Sequence, residues 1–252
     1  MIRLIARIDV RNGYHIKTVN CEGVLKLRTI DDSINLFSRG NNEHDEIVLM
    51  DSVASLYGYS NWLIRQSDQH FYCPIPLSIG GAIGSAEVAI ATLEKGADKL
   101  VINTAAVEKP DFLGQIAKLC GRQAVVLQVD TKKIDGTYKC FTHGARELSK
   151  IYTEEWIRAA QDNGVGELHV TSIDSEGTNN PFPDDLAGLI KSSTSLPVII
   201  SGGITRSEQM ARFCQDFDID SFSISSLTNR LDVELNKIRQ QLSDLGKKVR
   251  WP

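Results

Sequence analysis

Pro197-Val198-Ile199-Ile200-Ser201-Gly202-Gly203 is a short, nearly all-apolar run that stops at two glycines, and Pro76-Leu77-Ser78-Ile79-Gly80-Gly81 repeats it 121 positions earlier. A short run rich in branched apolar residues, without polar alternation, suits a parallel strand covered on both faces. Working outward, runs of this kind stand at Leu4–Ile8, Glu46–Met50, Pro76–Ile79, Lys99–Ile102, Ala124–Val129, Glu167–Val170, Pro197–Ile200 and Ser221–Ile224. Helix-like stretches separate them. Eight such units predict an α/β fold, a closed (β/α)8 TIM barrel rather than an open sheet.

The second half of the chain echoes the first. Asp9 recurs as Asp130 and Glu46 as Glu167, each 121 positions on, while Asp98 recurs as Asp220, 122 positions on. Counted as doublets, Gly80-Gly81 and Gly202-Gly203 are also 122 apart, which places one inserted residue before the second doublet. A period held through residue type and offset together implies two duplicated (βα)4 halves. We therefore expect one domain over 1–252, with half-barrels of about 1–121 and 122–252. The least regular stretches, Asn20–Ser33 and Thr131–Ser149, follow strands one and five and are expected to be long βα loops.

Composition narrows the function classes. The 252 residues are 42% hydrophobic and 24% charged, with a net charge of −4, so no nucleic-acid footprint stands out. No apolar run approaches the roughly 18 residues of a membrane span, and the first residues do not read as a signal peptide. Five cysteines stand far apart in an odd number, and five histidines are equally scattered. The expectation is a reduced, cytoplasmic protein without a disulfide framework, metal or cofactor.

In a barrel of this kind chemistry sits where the strands end. Asp9 ends strand one and Asp130 ends strand five, opposite each other in an eight-stranded ring. Two carboxylates across one mouth suit a general acid and a general base whose environments drive their protonation apart. Each alone could equally cap a strand end; the symmetric pair favours catalysis. Lys17 suits a substrate phosphate or a charge pair with Asp9. Each glycine doublet is followed one strand later by a small polar turn, Asn103-Thr104 in one half and Ser225-Ser226 in the other. Backbone N–H groups and hydroxyls so placed make an anion cradle, although tight turns alone also need glycine. Two cradles predict a long substrate with a phosphate at each end. Gly177, near Asp174, serves a phosphate or a turn; Asp51 orients a neighbour or caps a helix. At the other barrel end Arg3, Glu46, Lys99 and Glu167 begin strands one, two, four and six, as a stabilising charged ring or the lining of a passage.

Arg7-Ile8-Asp9-Val10, Ile102-Asn103-Thr104-Ala105-Ala106-Val107, Thr171-Ser172-Ile173-Asp174, Glu176-Gly177-Thr178 and Ser201-Gly202-Gly203 resemble the HisF family, the cyclase subunits of imidazole glycerol phosphate synthase. The similarity spans essentially the whole chain. It implies that a bis-phosphorylated formimino ribonucleotide (PRFAR) reacts with ammonia from a partner glutaminase to give imidazole glycerol phosphate and AICAR. It implies Asp9 and Asp130 as the catalytic pair. Gly80, Gly81, Asn103 and Thr104 would hold one phosphate; Gly177, Gly203 and Ser225 would hold the other, with Lys17, Thr171, Gly202 and Ile224 completing the substrate site. Arg3, Glu46, Lys99 and Glu167 match the family's ammonia gate. Asp98 and Gln123 would lie on the docking face for a HisH-like glutaminase, a heterodimer formed at the N-terminal face of the barrel.

Four departures accompany the resemblance. Ala82 stands where the family has a third glycine, so a methyl group would crowd the first phosphate. Arg7-Ile8-Asp9 replaces Cys-Leu-Asp and puts a large cation beside the barrel wall. Asn20–Thr29 lacks the usual Gly-Asp-Pro. Ser52–Gly58 resembles HisF-like proteins of surface-polysaccharide clusters, which implies an alternative role passing ammonia from a glutaminase to an amidotransferase that makes acetamidino sugars. A third alternative is a HisA-like phosphosugar isomerase on the same barrel, against which the charged ring argues.

Overall fold

The computed structural model describes residues 1–66, 70–225 and 234–251. Strand β1 (Arg3–Arg11) runs on into an antiparallel pair, β2 (Tyr14–Val19) and β3 (Glu22–Thr29), and is followed by β4 (Glu46–Asp51), β5 (Leu77–Gly80) and β6 (Lys99–Ile102). Strand β7 (Val125–Ile134) likewise runs on into β8 (Thr137–Thr142) and β9 (Glu147–Tyr152), before β10 (Glu167–Ser172), β11 (Val198–Ser201) and β12 (Ser221–Ile224). Eight of these pair in parallel in the order β10-β11-β12-β1-β4-β5-β6-β7, and β7 pairs back onto β10. The ring is closed, so no edge is left unpaired.

Side-chain alternation explains why the strands read as apolar throughout. On β1 the residues Leu4, Ala6, Ile8 and Val10 face outward into the layer beneath the helices, while Ile5 joins Val48, Val101, Val126 and Ile199 in a small cluster inside the barrel. Helices cover the outside with one apolar stripe each. In Thr153–Asp162, for example, Thr153, Trp156, Ile157 and Ala160 are buried, and Glu154 and Glu155 occupy the first turn, where their charge suits the helix dipole. None of the helices among the described residues is long and apolar enough to cross a membrane.

Two expectations are corrected here. Asn20–Ser33 and Thr131–Ser149 are not irregular loops: the first holds the turn into β3, β3 itself and the start of the helix Ile30–Phe37, and the second holds the end of β7, β8 and the start of β9, so that each belongs to a β-hairpin extension. The turns Asn12-Gly13, which joins β1 to β2 ahead of the first stretch, and Asp135-Gly136, which joins β7 to β8, have positive φ at both residues, the geometry that two-residue hairpins need and that Asn-Gly and Asp-Gly supply. Asn20-Cys21 turns in the same way. The glycine corners also keep the 121-residue offset: β5 ends at Gly80 and β11 at Ser201, so Gly81 corresponds to Gly202 and Ala82 to Gly203. The inserted residue therefore lies after the second corner, ahead of Asp220.

Candidate active site

At the carboxyl ends of the strands the barrel opens into a cavity of about 440 Å³, within the range of small-molecule sites. Asp9 from β1 and Asp130 from β7 both line it and are 4% and 7% exposed. Each is held by the residue two positions before it, because alternate residues of a strand share a face. Arg7 Nε lies 3.1 and 3.2 Å from the two Asp9 oxygens, and its Nη2 lies 3.1 Å from Oδ1. On the opposite wall Gln128 Nε2 donates to Asp130 Oδ1 at 2.6 Å. Arg7 Nη1 and Gln128 Nε2 also both donate to the Thr171 hydroxyl on β10, at 3.0 and 2.8 Å. The two carboxylates are thus ends of one hydrogen-bonded chain, Asp9–Arg7–Thr171–Gln128–Asp130, whose members Asp9, Arg7 and Asp130 line the cavity floor.

Their electrostatic settings differ. Asp9 faces a guanidinium, whereas the side-chain donors to Asp130 among the described residues are neutral amides, Gln128 and Asn103 Nδ2 at 2.9 Å. Burial pushes the Asp130 carboxyl above its ordinary range; Arg7, Gln128 and Asn103 pull the other way, and the neighbouring Asp9 adds to the rise. Burial opposes the Arg7 charge, but Asp9 and the surrounding carboxylates outweigh it and hold the guanidinium firmly protonated.

Of the residues expected to cradle the first phosphate, Gly81, Asn103 and Thr104 line this cavity. Gly80 stays within β5, with Met50 Sδ packed where a side chain would go. Ala82 also lines the cavity, at φ +50, a left-handed conformation that an alanine adopts only under strain. Thr104 Oγ1 accepts from His143 N at 3.0 Å, which ties the β8–β9 turn to the wall. Asp51, the end of β4, pairs with Arg65 Nη2 at 2.6 Å and accepts from Val53 N at 3.4 Å.

Gly177, Gly202 and Gly203 do not line this cavity. A Cβ on Gly177 would fall 2.7 Å from Val19 Cα, and one on Gly203 would fall 2.6 Å from Phe182 N, so the segment after β10 and the β2–β3 hairpin pack against these glycines. Glu176 makes the clasp between the two: its carboxylate accepts from Cys21 N at 2.7 Å, from Thr18 Oγ1 at 3.1 Å and from Lys17 Nζ at 3.3 Å. Lys17 is therefore paired with Glu176 and not with Asp9. Ile224 is buried in the outer layer. Ser225 follows β12 directly, and Ser226 lies outside the described residues.

At the opposite end Arg3, Glu46, Lys99 and Glu167 form a closed ring of ion pairs. Arg3 reaches Glu46 at 2.8 Å and also pairs with Glu167; Lys99 reaches Glu46 at 3.2 Å and Glu167 at 2.9 Å. Burial works against the Lys99 charge, and the two glutamates more than compensate. Asp98, beside the ring, caps β5 through Leu77 N at 2.8 Å.

Sequence reasoning missed Gln128 and the Glu176 clasp. A signal for Gln128 was present, since Arg7 and Gln128 are separated by the same 121 positions as the two aspartates. Among the described residues no cluster of three or more His, Cys, Asp or Glu side chains is placed to hold a metal ion.

Comparison with known proteins agrees with this architecture. The profile of the family described as histidine biosynthesis protein matches residues 3–225. The imidazole glycerol phosphate synthase subunit HisF of Chlorobaculum tepidum is 33% identical over 251 residues, covering 98% of each chain. The HisF subunit of Chlorobium luteolum is 34% identical, again over 98% of each, and that of Legionella pneumophila is 36% identical over 82% of this chain and 98% of its own. Full-length identity at this level, on a closed eight-stranded parallel barrel, means that the chain belongs to the histidine biosynthesis protein family as a HisF member.

Proposed function

We propose that this chain is the cyclase subunit of imidazole glycerol phosphate synthase, converting PRFAR and ammonia into imidazole glycerol phosphate and AICAR in histidine biosynthesis. The observation that carries the reading is the pair of buried carboxylates, Asp9 and Asp130, on one cavity floor. Ring closure by ammonia needs protons removed from nitrogen and delivered to a leaving group. A pair of carboxyl groups in unequal environments can do both. The N–H-rich corner at Gly81 and the Asn103-Thr104 turn supply a phosphate site beside them. The second phosphate is assigned to Gly177, Gly202, Gly203 and Ser225, with Lys17 and Thr171 supporting it, and this assignment requires the β2–β3 hairpin to lift from Gly177 and the backbone of Asn180–Phe182 to move off Gly203.

The relatives are named as subunits, which supports a complex with a second protein. We assign that partner as a HisH-like glutaminase docking at the ring end, with Arg3, Glu46, Lys99 and Glu167 as the entry for ammonia. We also read the chain as one domain of two half-barrels, about 1–121 and 122–252.

The test is turnover of PRFAR by the purified chain with ammonium as nitrogen donor, followed as AICAR release. Product formation that Asp9→Asn and Asp130→Asn each abolish supports the reading. No turnover, together with stimulation of a glutaminase in complex, would replace it with a role limited to passing ammonia to another enzyme.

A further inference from the structure

Asp9 and Asp130 occupy corresponding positions on β1 and β7, and so do the residues that hold them, Arg7 and Gln128, 121 positions apart. Both supports use the same geometry. Each reaches forward two residues to its aspartate, and each donates to the one Thr171 hydroxyl. Arg7 reaches both Asp9 oxygens and Gln128 one Asp130 oxygen, and the two supports differ in charge. Arg7 brings a full positive charge to within 3.1 Å of Asp9; Gln128 brings a neutral amide to Asp130. At these distances, away from bulk water, an ion–ion contact outweighs an ion–amide contact.

We propose that Arg7 is the positioning residue that makes the two aspartates chemically unequal, binding Asp9 in an ion pair and leaving Asp130, held by neutral amides, as the group that takes up and releases the proton. The proposal rests on the cyclase reading for the reaction served, but not for the inequality itself. The guanidinium is 7% exposed and sits in the cavity floor, so its charge is not dissipated into solvent. The charged and titratable groups around it all favour keeping it protonated or leave its sign unchanged. Asp9 shares its strand, Asp130 faces it from β7, Cys21 and Glu176 come from the hairpin and its clasp, and His169 lies below it on β10. Cys140, on β8, is the remaining titratable neighbour of Asp130, and burial holds its thiol protonated. His169 is fully buried, and burial together with Arg7 keeps its ring neutral, so it adds no competing charge.

Carboxyl-carbon NMR of the free protein, with Asp9 and Asp130 assigned through their Asn variants, tests this without substrate. On acidification the wild type is expected to protonate Asp130 before Asp9. Arg7→Gln, which leaves a neutral amide in place of the charge beside Asp9, should erase that order, and Arg7→Lys should keep it. The exchanged variant Arg7→Gln/Gln128→Arg should reverse it. In turnover of PRFAR, Arg7→Gln should lose about a hundredfold in kcat with KM little changed and with a shifted pH profile, and Arg7→Lys should recover most of the loss. Unchanged order in Arg7→Gln, or Asp9 protonating first in the wild type, would overturn the proposal. Absence of PRFAR turnover in the wild type would overturn the cyclase reading instead, while the titration still decides the role of Arg7.

Discussion

After β5 the chain turns through Gly81 and Ala82, and after β11 it turns through Gly202 and Gly203. In both corners the first residue lies against the carbonyl that ends the strand before: a Cβ on Gly81 would meet Asp51 O at 2.6 Å, and one on Gly202 would meet Ser172 O at 2.5 Å. That contact leaves no room for any other residue, whatever the ligand. The second residue separates the halves. Gly203 is roofed by the backbone of Asn180–Phe182, whereas Ala82 faces the cavity and its methyl group has space at the expense of a left-handed φ. Glycine thus serves packing in the second corner, while in the first an open wall tolerates alanine. The same motif, written twice, is solved once by the chain itself and once by whatever enters the site.

The largest effect that bears on this comparison is on catalysis. Asp9→Asn and Asp130→Asn should each lower kcat for PRFAR by about a thousandfold, and a variant that kept even a tenth of the activity would break the pairing of the two halves. Next comes the roofed corner. Gly203→Ala should cost about 2–4 kcal/mol in denaturant unfolding through backbone overlap and strain, while Ala82→Gly should change stability by less than about 1 kcal/mol, because relieved strain and added chain entropy offset. Equal costs at the two positions would mean that the corners are alike after all.

At the barrel's other end symmetry should persist. Glu46 and Glu167 bridge the same two cations, so Glu46→Gln and Glu167→Gln should destabilise by similar amounts, about 1–3 kcal/mol each. Thermal unfolding of the two variants side by side would sharpen or dissolve that equivalence.

The smallest effect is a pH dependence. Burial raises the folded-state Asp130 carboxyl above its ordinary range, so the folded protein binds this proton more tightly than the unfolded chain. That contribution to stability is present at low pH and is lost as pH rises through the folded value. Asp130→Asn should therefore compare more favourably with the wild type at pH 7 than at pH 4. A difference in unfolding free energy that does not move with pH, or moves the other way, would contradict the inequality of the two carboxyl groups.

Much of this was legible in the residues. Short apolar runs with glycine stops predict the barrel, and strand-end position predicts that Asp9 and Asp130 lie at one mouth, because a parallel strand fixes which end a residue reaches. The ring of Arg3, Glu46, Lys99 and Glu167 was legible for the same reason. What escaped depends on closure across the barrel. Thr171 becomes the common acceptor for Arg7 and Gln128 only when β10 stands between their strands. Lys17 pairs with Glu176, 159 residues away in sequence, because the hairpin folds over the mouth. The hairpins themselves were announced by Asn12-Gly13 and Asp135-Gly136, whose turn preference outweighs the weak alternation of the strands they join. Counting glycines rather than strand ends misplaced the inserted residue.

The clasp at Glu176 has a consequence for chemical labelling. It holds the tip of the β2–β3 hairpin so that Cys21 forms part of the cavity wall, where burial, Asp130 and Glu176 keep the thiol protonated against the pull of Arg7. A protonated thiol is a poor nucleophile. Cys21 should stay silent toward alkylating reagents while the hairpin lies down and react once it lifts, so its modification rate would time the opening of the mouth without any engineered probe.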